Sequence, residues 1–111
     1  MRVASKIDTN QPAIVRALRQ MGARVQVLSN VGHGFPDLLI AYRGVFALVE
    51  VKDGDKVKSK QKLTPDEERW HEEWQSEGPI FVVSTIDEAV AALEELAAPA
   101  VELERKGKVQ P

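Results

Sequence analysis

The sequence predicts an α/β fold, a mixed sheet flanked by helices, and three observations predict it. Two β-branched apolar runs, Leu38 to Tyr42 and Val45 to Val51, are joined by Arg43-Gly44 and read as a β-hairpin. A capping box, Thr64-Pro65-Asp66-Glu67, starts a helix after that hairpin. A further apolar run, Pro79 to Ser84, follows the helix, so a helical crossover of the kind that parallel strands require lies between them. The predicted order is helix, three strands, helix, strand, helix, which is an α/β sandwich.

Taken in order, Met1 to Ile7 forms an irregular start. Asp8-Thr9-Asn10 offers helix N-caps, and Pro12 suits a first turn. Ile14, Val15, Leu18 and Met21 recur at helical spacing, with Arg16, Arg19 and Gln20 on the polar side and Gly22 as the C-cap. Arg24 to Leu28 alternates like a strand. Ser29 to Phe35 is a glycine-rich loop around His33, where the backbone can approach a ligand closely. The hairpin follows, and Val45 to Val51 is apolar on both faces except at Glu50, which predicts a central strand covered on both sides.

Asp53 to Lys62 is polar. The capped helix then carries Trp70 and Trp74 at i, i+4, a packing pair, with Glu67 and His71 on a neighbouring face, and ends near Gly78. Thr85 with Glu88 makes a second capping box, and Ala89, Val90, Leu93 and Leu96 form the buried stripe of the last helix. Pro99 is expected to close the regular structure. Residues 1–98 would then be one domain and 99–111 a tail or docking arm.

The hairpin register carries the chemistry. If Arg43 and Gly44 form a two-residue loop, Tyr42 pairs with Val45, and counting back sets Asp37 opposite Glu50. Cβ atoms so opposed lie about 4.5–5.5 Å apart, and like charges there repel unless something positive intervenes. Lys52, two residues beyond Glu50, projects from the same face. A buried carboxylate needs a partner, a metal or a proton. Two carboxylates beside an ammonium offer hard oxygen ligands for Mg²⁺ or Mn²⁺, with a lysine facing phosphate. The bland alternative is that Glu50 and Lys52 serve separate surface ion pairs.

At 111 residues the chain has room for one core. It has no cysteine, which excludes disulfides and thiolate metal sites and fits a cytoplasmic protein. No apolar run approaches the length of a membrane span, and the first residues lack the apolar core of a signal peptide. The net charge of −2 does not by itself announce a nucleic-acid binder. Its distribution is more informative: Lys52, Lys56, Lys58, Lys60 and Lys62 make a basic segment directly after the proposed site, placed to contact phosphates.

Pro36-Asp37, a spacer, and Glu50-Val51-Lys52 resemble the signature of the PD-(D/E)XK nuclease superfamily. The ordered set GFPDLLIAYRG, LVEVKDG and LTPDEERWHEEW resembles its VRR-NUC group, including small stand-alone phage-type members, from about Asp8 to Leu96. That resemblance implies a restriction-endonuclease-like αβββαβ core with an extra C-terminal helix. It implies metal-dependent hydrolysis of nucleic-acid phosphodiesters, with Asp37, Glu50 and the carbonyl of Val51 on Mg²⁺ or Mn²⁺ and Lys52 orienting the attacking water. Glu67 would stand where the group often has a glutamine, as a further ligand or water-positioning group. His71 would contact phosphate or support the ligands. His33 is read from its glycine-rich loop alone, as a phosphate or metal contact, with a simply solvated loop histidine as the alternative. Many members also carry a first-helix glutamate, yet no carboxylate lies between Asp8 and Asp37, so Asp8, Asn10 or Gln11 would stand near that position.

Three functions follow. The first is an active endonuclease, with DNA expected over RNA, structure-selective as the group's relation to junction resolvases implies, and acting as a homodimer. The second is a nucleic-acid-binding module of the same fold without catalysis. The third is an assembly protein that docks through Trp70, Trp74 and the tail.

Overall fold

The computed structural model describes residues 9–53 and 62–109, with side chains through residue 98. The elements are α1 (Gln11–Gln20), β1 (Arg24–Val27), β2 (Leu38–Tyr42), β3 (Val45–Val51), α2 (Pro65–Trp74), β4 (Ile80–Val83) and α3 (Ile86–Val109). The four strands form one sheet in sequence order. β1, β2 and β3 are antiparallel neighbours, and β4 adds parallel to β3 after the α2 crossover. This is the predicted mixed sheet in the predicted order.

The hairpin register is the expected one, with Tyr42 opposite Val45 and Leu38 opposite Val49. Arg43 and Gly44 both take positive φ, 52° and 84°. That is the backbone of a two-residue turn whose twist matches the strands it joins. The Arg43 guanidinium lies over the Tyr42 ring, 5.2 Å from its centroid.

One face of the sheet builds the core. Leu38, Ile40, Ala47, Val49, Val51 and Val83 pack beneath Ile14 and Leu18 of α1 and Ala89, Leu93 and Leu96 of α3. α1 ends as its sequence predicts: Gly22 at φ 100° follows Met21, its N–H bonds Arg19 O, and Ala23 N–H reaches Leu18 O. That double bond is a Schellman cap, which satisfies the last carbonyls of the helix.

The other face carries Leu39, Phe46, Leu48 and Glu50, and here coverage is thinner than expected for β3. α2 lies over one end only, and Phe46 remains 67 % exposed. Trp74, Leu48 and Pro79 line an open cleft of about 290 Å³ beside Phe46.

Three further features depart from the sequence reading. α2 ends at Trp74 rather than near Gly78, with Gln75 as its C-cap. Asn10 makes no side-chain cap on α1; its amide instead donates to Lys52 O (2.8 Å) and Ser84 O (2.7 Å), tying together the ends of β3 and β4. α3 runs through Pro99 to Val109, so 99–109 are helical rather than irregular. An interior proline removes one helix hydrogen bond, at about 3 kcal/mol. Strong helix formers on both sides of it, Leu93 to Ala98 and Glu102 to Lys106, favour continuing the helix nonetheless.

Candidate functional site

Alternation along β3 sends Val49 and Val51 into the core and Glu50 to the opposite face, under the start of α2. Asp37 sits one step before β2, continuing the register towards Glu50. It is fixed by its surroundings: Oδ2 accepts from Val51 N–H (2.8 Å), Oδ1 accepts from the Ser29 hydroxyl (3.2 Å), and its carbonyl accepts from Leu28 N–H (2.6 Å). Val51 therefore enters the site first through its N–H.

Glu50 is 3 % exposed, and among the described residues its Oε1 has no hydrogen-bond partner. Burial pushes its pKa up to about 11, and the neighbouring Asp37 and Glu67 carboxylates add to the rise. Without a cation this carboxyl holds a proton at neutral pH. The repulsion expected from the register is thus present, and protonation relieves it.

Lys52 provides the positive charge, but its principal partner is not Glu50. Its ammonium lies 2.7 Å from Glu67 Oε1 and 3.9 Å from Glu50 Oε2, with all three side chains buried. The same Glu67 oxygen accepts from Thr64 N–H (2.8 Å), while Glu67 N–H donates to the Thr64 hydroxyl (3.2 Å). The expected capping box is therefore formed, and its acidic member also holds the lysine. Burial alone would raise the Glu67 pKa, but the hydrogen bonds from Lys52 and Thr64 outweigh it and hold the carboxyl below its usual value.

The glycine loop brings α2 to this place. Gly34, at φ 81°, lies against the first turn of α2 so closely that a methyl group there would overlap Asp66 O and Glu67 N. Phe35 then meets Trp70 edge-on, with centroids 5.0 Å apart, and Trp70 stacks on Trp74 at 5.2 Å. The two tryptophans thus brace the helix against the loop, as a packing pair should.

Gln11 is the first-helix residue that reaches the site. It is 3 % exposed, its Nε2 donates to Ser29 Oγ (3.2 Å), and its Oε1 is buried without a partner among the described residues. Through Ser29 it joins Asp37. Sequence reasoning missed Ser29 altogether: a serine at a strand end carries no motif, and its importance appears only when the loop folds back on α1.

His71 lies one turn beyond Glu67, half-buried, with Nε2 unpartnered. Burial lowers its pKa, opposed by the Glu67 charge and reinforced by Lys52. His33 is exposed and stands in the left-handed region at φ 57°, and Lys62 is exposed near the start of α2. Asp8, Lys56, Lys58 and Lys60 lie outside the described residues.

The donors suit a hard divalent cation. Asp37 and Glu50 supply carboxylate oxygens, Gln11 a neutral amide oxygen, and two of these groups hold buried oxygens without partners. Among the described residues no three acidic or histidine side chains are gathered into a metal cage, so a cation would keep water in its shell.

A mixed αβββαβ sheet whose central hairpin ends in an acidic pair followed by a lysine is the arrangement that the resemblance to PD-(D/E)XK nucleases implies. Comparison with protein-family models gave no match, and comparison with curated protein sequences gave none either. Among solved structures, a VRR_NUC domain is 32 % identical, with a TM-score of 0.59, over 76 % of this chain and 89 % of its own. The chain belongs to the VRR-NUC group of that superfamily and has its nuclease-family fold.

Proposed function

We propose that this chain is a metal-dependent endonuclease that hydrolyses nucleic-acid phosphodiester bonds, with DNA preferred over RNA and branched structures such as junctions or flaps as substrates. The observation that carries this reading is the buried Asp37–Glu50 pair, with Glu50 Oε1 unpartnered and Lys52 beside it. Asp37, Glu50, the Val51 carbonyl and Gln11 Oε1 would hold Mg²⁺ or Mn²⁺. A bound ion of this kind supplies Lewis-acid polarisation of the phosphoryl oxygen and a bound water of lowered pKa.

The protein's own groups do the rest. Ser29 and Val51 N–H hold the Asp37 carboxylate in one orientation. Lys52 keeps ammonium donors beyond the one that Glu67 takes, and these orient water and offset charge building on phosphorus. His71 and His33 contact the substrate backbone, with Lys56, Lys58, Lys60 and Lys62 as phosphate anchors. Such contacts make binding salt-dependent with little base readout. Gln11 in place of a carboxylate lowers the negative charge of the site by one and favours a single ion.

Phe46, Leu48 and Trp74 give the open sheet face an apolar centre, with Arg24 at its β1 side and Glu77 at its α2 side. A two-fold pair would set these opposite charges against one another, so we assign this face to a homodimer working in a cytoplasm.

The alternative is a binding-only module, which the neutral Gln11 favours. Cleavage of a labelled panel (single strand, duplex, flap and four-way junction) with Mn²⁺, Mg²⁺ or EDTA separates the two. Metal-dependent cutting by wild type that is lost in Glu50→Ala supports the nuclease. Equal binding by both proteins with no cutting would transfer the function to the binding module.

A further inference from the structure

We propose that Glu67 is a positioning residue that holds Lys52 away from Glu50 and so keeps Glu50 open to a cation; the inference rests on the metal-dependent reading above. Lys52 has the carboxyl groups of Glu67 and Glu50 within reach and is committed to the first. Its ammonium is 2.7 Å from Glu67 and 3.9 Å from Glu50, and the side chains are buried, where water screens neither pair well. Glu67 is itself fixed, because the oxygen that accepts from Lys52 also accepts from Thr64 N–H at the start of α2. Gly34 sets that turn of helix against the loop that leads into Asp37.

Without Glu67, the buried ammonium would have, among the described residues, the Glu50 carboxyl left within ion-pair reach, and its Oε1 is otherwise unpartnered there. Lys52 would close on Glu50 and compete there with a cation. The capping box therefore does more than start α2: it sets the separation between the lysine and the carboxylate. An isolated reading of Thr64-Pro65-Asp66-Glu67 as a helix start misses this, since it depends on where β3 ends.

The test is calorimetric titration with Mn²⁺ alone, with no nucleic acid. Glu67→Ala should bind Mn²⁺ about tenfold more weakly than wild type. Thr64→Ala removes the other half of the capping box but leaves the Glu67 carboxylate, and should lower Tm while leaving Mn²⁺ affinity within about twofold. In a Lys52→Met background, where no ammonium can close on Glu50, adding Glu67→Ala should change affinity by less than about twofold. Glu67→Gln, which keeps an acceptor for Thr64 N–H but removes the charge that holds Lys52, provides a folded variant should Glu67→Ala fail, and it should lose affinity in the same direction, with the loss abolished in the Lys52→Met background.

Wild-type affinity in folded Glu67→Ala would overturn the proposal. So would a loss that persists in the Lys52→Met background, since that would make Glu67 a ligand or a carrier of charge rather than a spacer. No Mn²⁺ binding by wild type would sink the metal-dependent reading and this inference with it, an outcome distinct from the others.

Discussion

At the scale of single residues, Glu50 costs the metal-free fold stability as pH rises. Its folded pKa of about 11 lies above the ordinary 4.5, so the folded state binds this proton more tightly than the unfolded chain does. Stability from the group is full below about pH 4.5 and is lost progressively as pH climbs towards 11. Glu50→Gln replaces the protonated acid with a neutral amide of similar shape. At pH 8–9, without metal, the variant should melt about 4–8 °C above wild type, corresponding to roughly 1 kcal/mol, and its Tm should vary less with pH. Thermal melts across pH 5–9 check this, and a variant that melts lower at pH 9 would contradict it. The opposition of Asp37 and Glu50 was legible in the sequence because Arg43-Gly44 fixes the register. Ser29 and the orphaned amide oxygen of Gln11 were not, because both depend on a loop folding back against α1.

At the scale of elements, α2 is held by its first turn and its aromatic side chains more than by the sheet. Gly34→Ala brings two penalties, a side chain at positive φ and an overlap with Asp66 O and Glu67 N. The first turn of α2 must then move, so Lys52 should lose its fixed partner. We expect a loss of about 1–3 kcal/mol in stability by denaturant titration. The cleavage rate should fall with it, whereas Gly22→Ala, with open space around it, should lose stability through its positive φ yet keep wild-type cleavage once folded. The capping box at Thr64 was readable from four letters, and its geometry is as expected. Its second use, as the clamp on Lys52, was not readable, since a local motif contains nothing about the strand that ends beside it. Pro99 shows the converse: a strong local breaker was overridden, and α3 continues to Val109.

At the scale of the whole molecule, one sheet face is a sealed core and the other is partly open. Phe46 and Trp74, 67 % and 48 % exposed, sit on that open face beside apolar neighbours. Phe46→Glu should leave the fold intact, since the ring contributes little buried area, and should lower the sedimentation coefficient if the proposed homodimer uses this face. An unchanged sedimentation coefficient would take the homodimer away from this face. The sequence reading expected β3 to be covered on both sides, because a run such as Val45 to Val51 looks the same whether helices or a second copy cover it.

Under the proposed function Glu50 exchanges a proton for a cation, and Mn²⁺ titration at pH 8 in buffers of different ionisation enthalpy measures that exchange directly. Wild type should release about one proton per ion bound, and Glu50→Gln should bind more weakly and release none. Binding with no proton release in wild type, or with the same release in Glu50→Gln, would show that Glu50 does not give up a proton to the cation.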